Sequence, residues 1–76
     1  MKLEIISPLG IFLQKEVESV SFPGSGGNFT MLRNHAPIIS TLKKGKIIYV
    51  ENGTLHETDI ERGIVHSKDN VIKVYI

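Results

Sequence analysis

Cysteine is missing from all 76 residues, and tryptophan with it. Without thiols a small domain has no disulfide to hold it, no thiolate zinc site and no cysteine nucleophile. Its stability has to come from packing or from partners. Charge of one sign is also scarce. Nine Lys and Arg stand against eight Asp and Glu, a formal net charge of +1, too small a surplus for a protein whose affinity rests on neutralising nucleic-acid phosphates. Only Lys43, Lys44 and Lys46 cluster, around Gly45, and a short charge run at a glycine reads first as a solvated turn. Long apolar runs are absent: the longest are Ile11 to Leu13 and Ile47 to Val50, where a spanning helix needs roughly 20 residues. Met1-Lys2 passes straight into Leu3-Glu4-Ile5-Ile6-Ser7-Pro8, without the successive cationic, apolar and small-residue regions of a secretory signal. The chain is expected to stay on the side where it is made.

What is present is an ordinary globular balance, 41% apolar and 22% charged, in a length that suits one domain, residues 1–76. No stretch of ten residues carries apolar positions at helical spacing, whereas short β-branched and aromatic segments recur between turn signals. The expected class is all-β, a two-sheet sandwich or small barrel without substantial helix. Nine strands are predicted: Leu3–Ser7, Ile11–Gln14, Val17–Phe22, Phe29–Leu32, Ile38–Leu42, Lys46–Glu51, Thr54–Ile60, Gly63–His66 and Val71–Ile76. Pro8-Leu9-Gly10, Pro23-Gly24, Gly45, Asn52-Gly53 and Asp69-Asn70 punctuate them, each with a residue that fixes φ or tolerates a positive one.

Three patterns bear on packing. In the last segment Ile72, Val74 and Ile76 share one face, opposite Val71, Lys73 and Tyr75, so the first face is expected in the core. Ile47 to Val50 is apolar on both faces, which puts this strand inside the sandwich or turns its second face toward a partner. Between Val17 and Phe22 the apolar parity shifts from odd to even positions, as a bulge would allow. A chain ending on Ile76 inside a strand predicts a terminus paired in a sheet or covered by a partner.

Chemistry is sparse. His35, His56 and His66 lie in no known metal-ligand spacing. His56 and His66 fall in strands, and His35 in a loop restrained by the following Ala36-Pro37. Gly24-Ser25-Gly26-Gly27 lacks the Lys-Ser or Lys-Thr of a phosphate-binding loop and precedes no helix, so it reads as a turn. Glu16, Glu18, Glu57, Asp59 and Glu61 alternate as a solvated face would, and no nucleophile elbow surrounds any serine. Neither a catalytic residue nor a cofactor or metal site is predicted.

The order of the pieces carries more than any one of them. Leu3-Glu4-Ile5-Ile6-Ser7-Pro8-Leu9-Gly10 is followed by Glu16-Val17-Glu18-Ser19-Val20-Ser21-Phe22-Pro23-Gly24. Then come Gly27-Asn28-Phe29-Thr30-Met31-Leu32-Arg33-Asn34-His35-Ala36-Pro37-Ile38-Ile39, Leu42-Lys43-Lys44-Gly45, Glu61-Arg62-Gly63-Ile64-Val65-His66 and Asn70-Val71-Ile72-Lys73-Val74. Over essentially its whole length this resembles the epsilon subunit of the rotary ATP synthase. The resemblance implies the family's N-terminal β-sandwich, of about ten strands. Thr30 and Asn34 stand where the family usually has glycine, Arg33 where it has proline, and Asn28 where it often has a carboxylate. Asn34 can hold a positive φ, whereas Thr30 is less suited to one. Family members commonly continue into a two-helix C-terminal domain, which these 76 residues do not include, so the restraint of ATP hydrolysis and the ATP binding associated with that domain are not carried over.

The resemblance further implies a non-catalytic rotor subunit that docks the gamma shaft onto the ring of c subunits and couples ion flow to ATP synthesis. It would lie peripherally, on the cytoplasmic face of a bacterial inner membrane or the equivalent organelle membrane, held there only through its partners. Its loop from Ser25 to His35 would face the ring through Asn28, Arg33, Asn34 and His35. Ser7, Ile38, Ser40 and Thr41, with Ile39 as a further apolar contact, would face gamma. The competing reading from the residues themselves is a free-standing β-barrel module for single-stranded RNA, using Lys43, Lys44 and Lys46 with Tyr49 as a stacking platform. A small hydrolase or isomerase would instead need a pocket with perturbed carboxylates or His35.

Overall fold

The computed structural model describes residues 1–76 and contains nine strands and no helix. They are β1 (Lys2–Ser7), β2 (Gly10–Glu16), β3 (Ser19–Phe22), β4 (Phe29–Leu32), β5 (Ile38–Leu42), β6 (Gly45–Glu51), β7 (Thr54–Ile60), β8 (Gly63–Lys68) and β9 (Val71–Tyr75). Five form one sheet in the order β2-β1-β9-β8-β5 and four the other, β4-β3-β6-β7. Neighbours run antiparallel except β1 and β9, which pair in parallel along Lys2 to Ile6. Nine strands is one fewer than the resemblance implies. Outside the nine, Gly24 makes an isolated bridge to Leu42.

Turn chemistry sets the registers. Asn52 and Gly53 both hold positive φ, 51° and 76°, as do Asp69 and Asn70, 52° and 62°, the geometry of two-residue hairpins that follow strand twist. Glu18 stabilises the first of these from a distance, its carboxylate accepting the Gly53 N–H at 2.8 Å. Gly45 is required by proximity: a Cβ there would lie 2.8 Å from the Pro23 Cβ.

One face of each sheet turns inward. Leu3, Ile5, Ile72, Val74 and Val65 from the five-stranded sheet meet Val20, Phe22, Met31, Ile47, Tyr49 and Ile60 from the other, with Met1, Val17 and Leu42 closing the ends. Phe22 and Phe29 pack with ring centroids 5.5 Å apart. Burying each such side chain contributes about 1.5–3 kcal/mol, and this core replaces the disulfides the sequence lacks.

Two expectations change here. The parity shift before Phe22 is a passage between sheets: Val17 N–H donates to the Met1 carbonyl in one sheet, and Glu18 N–H to the Val50 carbonyl in the other. The register shift lies instead opposite Ile5-Ile6, where Phe12 is the extra residue of β2. In β9, Ile72 and Val74 are buried as expected, but Ile76 lies past the strand and is exposed, its N–H bonded to the Ile6 carbonyl. Strand β6 is interior to its sheet. Ile47 and Tyr49 face the core, while Ile48 and Val50 are half-covered on the outer face by the side chains of β3 and β7.

Candidate functional site

The outer face of the five-stranded sheet is built by register. Ile11 stands opposite Ile6, Ile6 opposite Tyr75, Tyr75 opposite Ile64, and Ile64 opposite Thr41. Directly opposed residues point to the same side of a sheet with Cβ atoms about 5 Å apart, so these five form one belt crossing all five strands. Ile11 is 60% exposed, Ile64 48% and Tyr75 47%. Ile39, in the next row on β5, is 73% exposed, and Leu9 projects from the turn beyond β1. Single exposed apolar residues are ordinary; a continuous row rimmed by polar groups marks an interaction surface. The rim is Gln14, Glu4, Lys73 and His66, which oppose one another in the adjoining row.

The expected gamma-facing residues distribute around this belt. Thr41 is its last member and Ser7 lies just past its Ile6 end, where the Ser7 hydroxyl accepts the Leu9 N–H and donates to the Gly10 carbonyl, both at 3.3 Å. Ile38 and Ser40 point to the inner side of edge strand β5 and are half-buried, Ile38 against the core.

The expected ring-facing residues divide into two groups. Strand β4 runs through the middle of the Ser25-to-His35 segment and separates Asn28 from Arg33 by roughly 16 Å at about 3.3 Å per residue. Asn28 shares a cleft with Pro23, Lys43, Lys44 and Lys46 at one end of the sandwich. Arg33 lies at the other end beside Glu16, Glu18 and Asn52, with Asn34 and His35. The Leu32-to-His35 turn is closed by the His35 N–H on the Leu32 carbonyl at 3.1 Å, with Asn34 at φ 64°. Asparagine therefore supplies the conformation that glycine usually would. His35 Nδ1 lies 2.8 Å from the Ala36 carbonyl. Thr30 needs no special geometry, because it sits in regular strand pairing with Ser21, their hydroxyls 2.8 Å apart.

Electrostatics are local. The ammonium group of Met1 hydrogen-bonds Glu16 and holds its carboxyl below the ordinary value; slight desolvation opposes this although the side chain is largely exposed, and the charges of Met1, Arg33 and Lys2 reinforce it. Asp59, bonded at 3.1 Å, raises Lys46, with Glu57 assisting at 3.8 Å. These two groups lie in different clefts and form no common catalytic site. No three His, Asp or Glu side chains are grouped to hold a metal, and no helix is long and apolar enough to cross a membrane.

The RNA-binding alternative loses its platform here. Tyr49 is only 5% exposed and stacks on His56, centroids 5.1 Å apart, and Lys46 is engaged by acidic neighbours. The belt itself is what sequence reasoning missed. Tyr75 was expected on a solvent face, and only strand register brings it between Ile6 and Ile64.

Comparison with known proteins agrees with this fold. The family described as ATP synthase, Delta/Epsilon chain, beta-sandwich domain matches residues 1–76. An ATP synthase epsilon chain of Campylobacter jejuni subsp. doylei is 40% identical over 76 residues, covering 100% of this chain and 58% of that protein. The epsilon chain of Leptospira interrogans is 39% identical over 74 residues, 97% of this chain and 58% of its own length. The chain thus spans little more than half the length of these relatives. Among solved structures, the Euglena gracilis mitochondrial ATP synthase OSCP/F1/c-ring assembly contains a chain matching at TM-score 0.86 and 21% identity, over 96% of this chain and 48% of that one. The central stalk/c-ring of the Tetrahymena thermophila mitochondrial ATP synthase contains another, at TM-score 0.80 and 11% identity, over 99% and 61%. At these identities the structural likenesses speak for the fold alone, whereas the match across all 76 residues and the sequence relatives decide the family: the chain belongs to the ATP synthase delta/epsilon chains, as their β-sandwich domain.

Proposed function

We propose that this sandwich is a non-catalytic rotor element which docks the gamma shaft of an ATP synthase onto its c-ring through two adjoining surfaces. The observation that carries the reading is the apolar belt Ile11-Ile6-Tyr75-Ile64-Thr41, which supports a broad, largely apolar contact with gamma. An element seated at the corner between shaft and ring needs contact surfaces that meet. The belt meets the Ser25–Asn28 segment, since Thr41 Oγ1 donates to Ser25 Oγ at 2.9 Å and Ser25 N–H to the Thr41 carbonyl at 3.0 Å. Asn28 then faces the polar loops of the ring. Arg33, Asn34 and His35, at the other end, leave the ring-facing set and border the gamma-facing surface where β5 begins. Ser7 and Thr41 remain in the gamma contact, Ser40 at its edge, and Ile38 supports it from within.

The mechanism is mechanical. Torque passes between ring and shaft only if the element between them resists twisting, and two sheets sharing a close-packed core are stiff because such interiors have low compressibility. The protein would lie peripherally at the membrane through these partners, and neither the coupling ion nor nucleic acid enters its own chemistry. Native mass spectrometry of the chain mixed with gamma and the c-ring tests the reading. A ternary assembly is expected from the wild type, and a much smaller fraction of it from Ile64→Glu at the same concentrations, because that change puts a charge in the middle of the belt. Equal assembly by both proteins would overturn it.

A further inference from the structure

The Arg33–His35 turn is made without the proline and glycine that its type favours, yet it is tied to a hairpin 36 residues away. Asn34 N–H donates to Asn70 Oδ1 at 2.6 Å, and Asn70 Nδ2 donates to Asn34 Oδ1 at 3.0 Å. The backbone donor fixes the orientation of the Asn70 amide, and the return bond from its nitrogen is then the one that orientation allows. Asn70 is itself held twice. Its backbone lies in the β8–β9 turn at φ 62°, and its carbonyl accepts the Lys2 N–H at 2.8 Å. The clasp thus joins β1, the β8–β9 turn and the entrance to edge strand β5, whose one strand neighbour is β8 and whose other edge is met by Gly24 and Ser25 only at its far end, Thr41-Leu42. In a turn closed between Leu32 and His35, the amide of the third residue points away from the turn and has no partner inside it. Asn70 supplies one.

We infer that Asn70 is a positioning residue: it holds the Arg33–His35 turn, and with it the entrance to β5 and exposed Ile39, as a preformed margin of the docking face. This rests on the gamma-facing reading of that face. Preorganisation of this kind raises affinity by sparing the ordering cost on binding. The turn would otherwise sample other conformers, because neither Arg33 nor Asn34 restricts the unfolded chain as proline does.

The test uses three variants of these 76 residues. Asn70→Gly keeps the positive φ of the hairpin and removes the clasp. Asn70→Asp restores it, because the Asn34 amide can turn over and donate to the new carboxylate while its backbone N–H keeps an acceptor. Ile64→Glu breaks the belt. Amide hydrogen exchange is read at Asn34 and His35 and in the core strands, and binding is measured to a purified subcomplex of gamma and the c-ring. For Asn70→Gly we expect roughly tenfold faster exchange at Asn34 with core strands unchanged, and roughly tenfold weaker binding, both returned toward wild type by Asn70→Asp. Unchanged exchange at Asn34, or loss in Asn70→Asp equal to that in Asn70→Gly, would overturn the proposal. So would wild-type binding by Asn70→Gly while Ile64→Glu fails to bind, a result that leaves the docking face intact. Wild-type binding by Ile64→Glu would instead overturn the docking face on which the proposal rests.

Discussion

The two sheets each bury one face, but their outer faces are finished differently. On the four-stranded sheet the polar groups find partners within the face: the Ser21 and Thr30 hydroxyls meet at 2.8 Å, and Lys46 reaches Asp59 at 3.1 Å and Glu57 at 3.8 Å. Its apolar members, Ile48 and Val50, are half-covered by neighbours, leaving Leu32 and Leu55 at the flanks. On the five-stranded sheet, Ile11, Ile6, Tyr75 and Ile64 run together across the strands, with Thr41 at the end. The first face breaks its apolar row, exposed Leu32 and Leu55 being separated by Ser19 and half-covered Val50; the second has a row with four large apolar side chains in succession that a partner can cover. Apolar alternation in the sequence therefore does not by itself separate a solvent face from a docking face. On the proposed reading, the register of polar partners does.

The largest effect should come from the inner side of the belt-bearing sheet. Ile72→Ala removes a fully buried side chain and should cost about 2–5 kcal/mol, seen as a lower denaturation midpoint, with any loss of docking following from unfolding. Next is Ile64→Glu, eight residues away on the outer face of the same sheet. Folding should be nearly unchanged, while binding to gamma weakens by about 30-fold or more, as for a central contact worth about 2 kcal/mol. Leu55→Glu, on the outer face of the four-stranded sheet, should leave binding unaltered. The smallest effect is Lys46→Met, which should hardly move Tm at neutral pH because exposed ion pairs contribute little.

The same lysine gives a pH signature on the outer face of the four-stranded sheet. Asp59 raises Lys46 above its ordinary value, with Glu57 adding to the effect. Its contribution is therefore fully present below the unfolded value, about 10.4, and is lost as pH rises through the higher folded value. In alkaline denaturation, whatever small difference separates wild type from Lys46→Met should vanish above that range.

All nine strands were legible because turn residues bound short β-branched and aromatic segments. The bounds of Phe29–Leu32, Ile38–Leu42 and Thr54–Ile60 agree and the others shift by one or two residues at one or both ends; at Val17 the odd parity records a change of sheet. The irregularity opposite Ile5-Ile6 was hidden because Ile11, Phe12 and Leu13 are apolar without a break, so no parity change marks the extra residue. The parallel pairing of β1 with β9 left no local sign, since it joins the two ends of the chain. The candidate site was legible only in part. Ser7 and Thr41 were named through family resemblance; Thr41 is the last member of the belt and Ser7 lies just past its Ile6 end, while their contact with gamma is a proposal. Asn28 was grouped with Arg33, Asn34 and His35 through the same resemblance, as parts of one loop, while strand β4 between them carries them to opposite ends. Ile6, Tyr75 and Ile64 come from three strands, and no local pattern could bring them together.

Because the chain contains no cysteine, single cysteines can report directly on which outer face is covered. Ile64→Cys and Leu55→Cys would each be labelled with a maleimide, free and then assembled with gamma and the c-ring. Both should react readily when free. In the assembly Ile64→Cys should become unreactive while Leu55→Cys labels as before; protection of Leu55→Cys with Ile64→Cys still open would contradict the account.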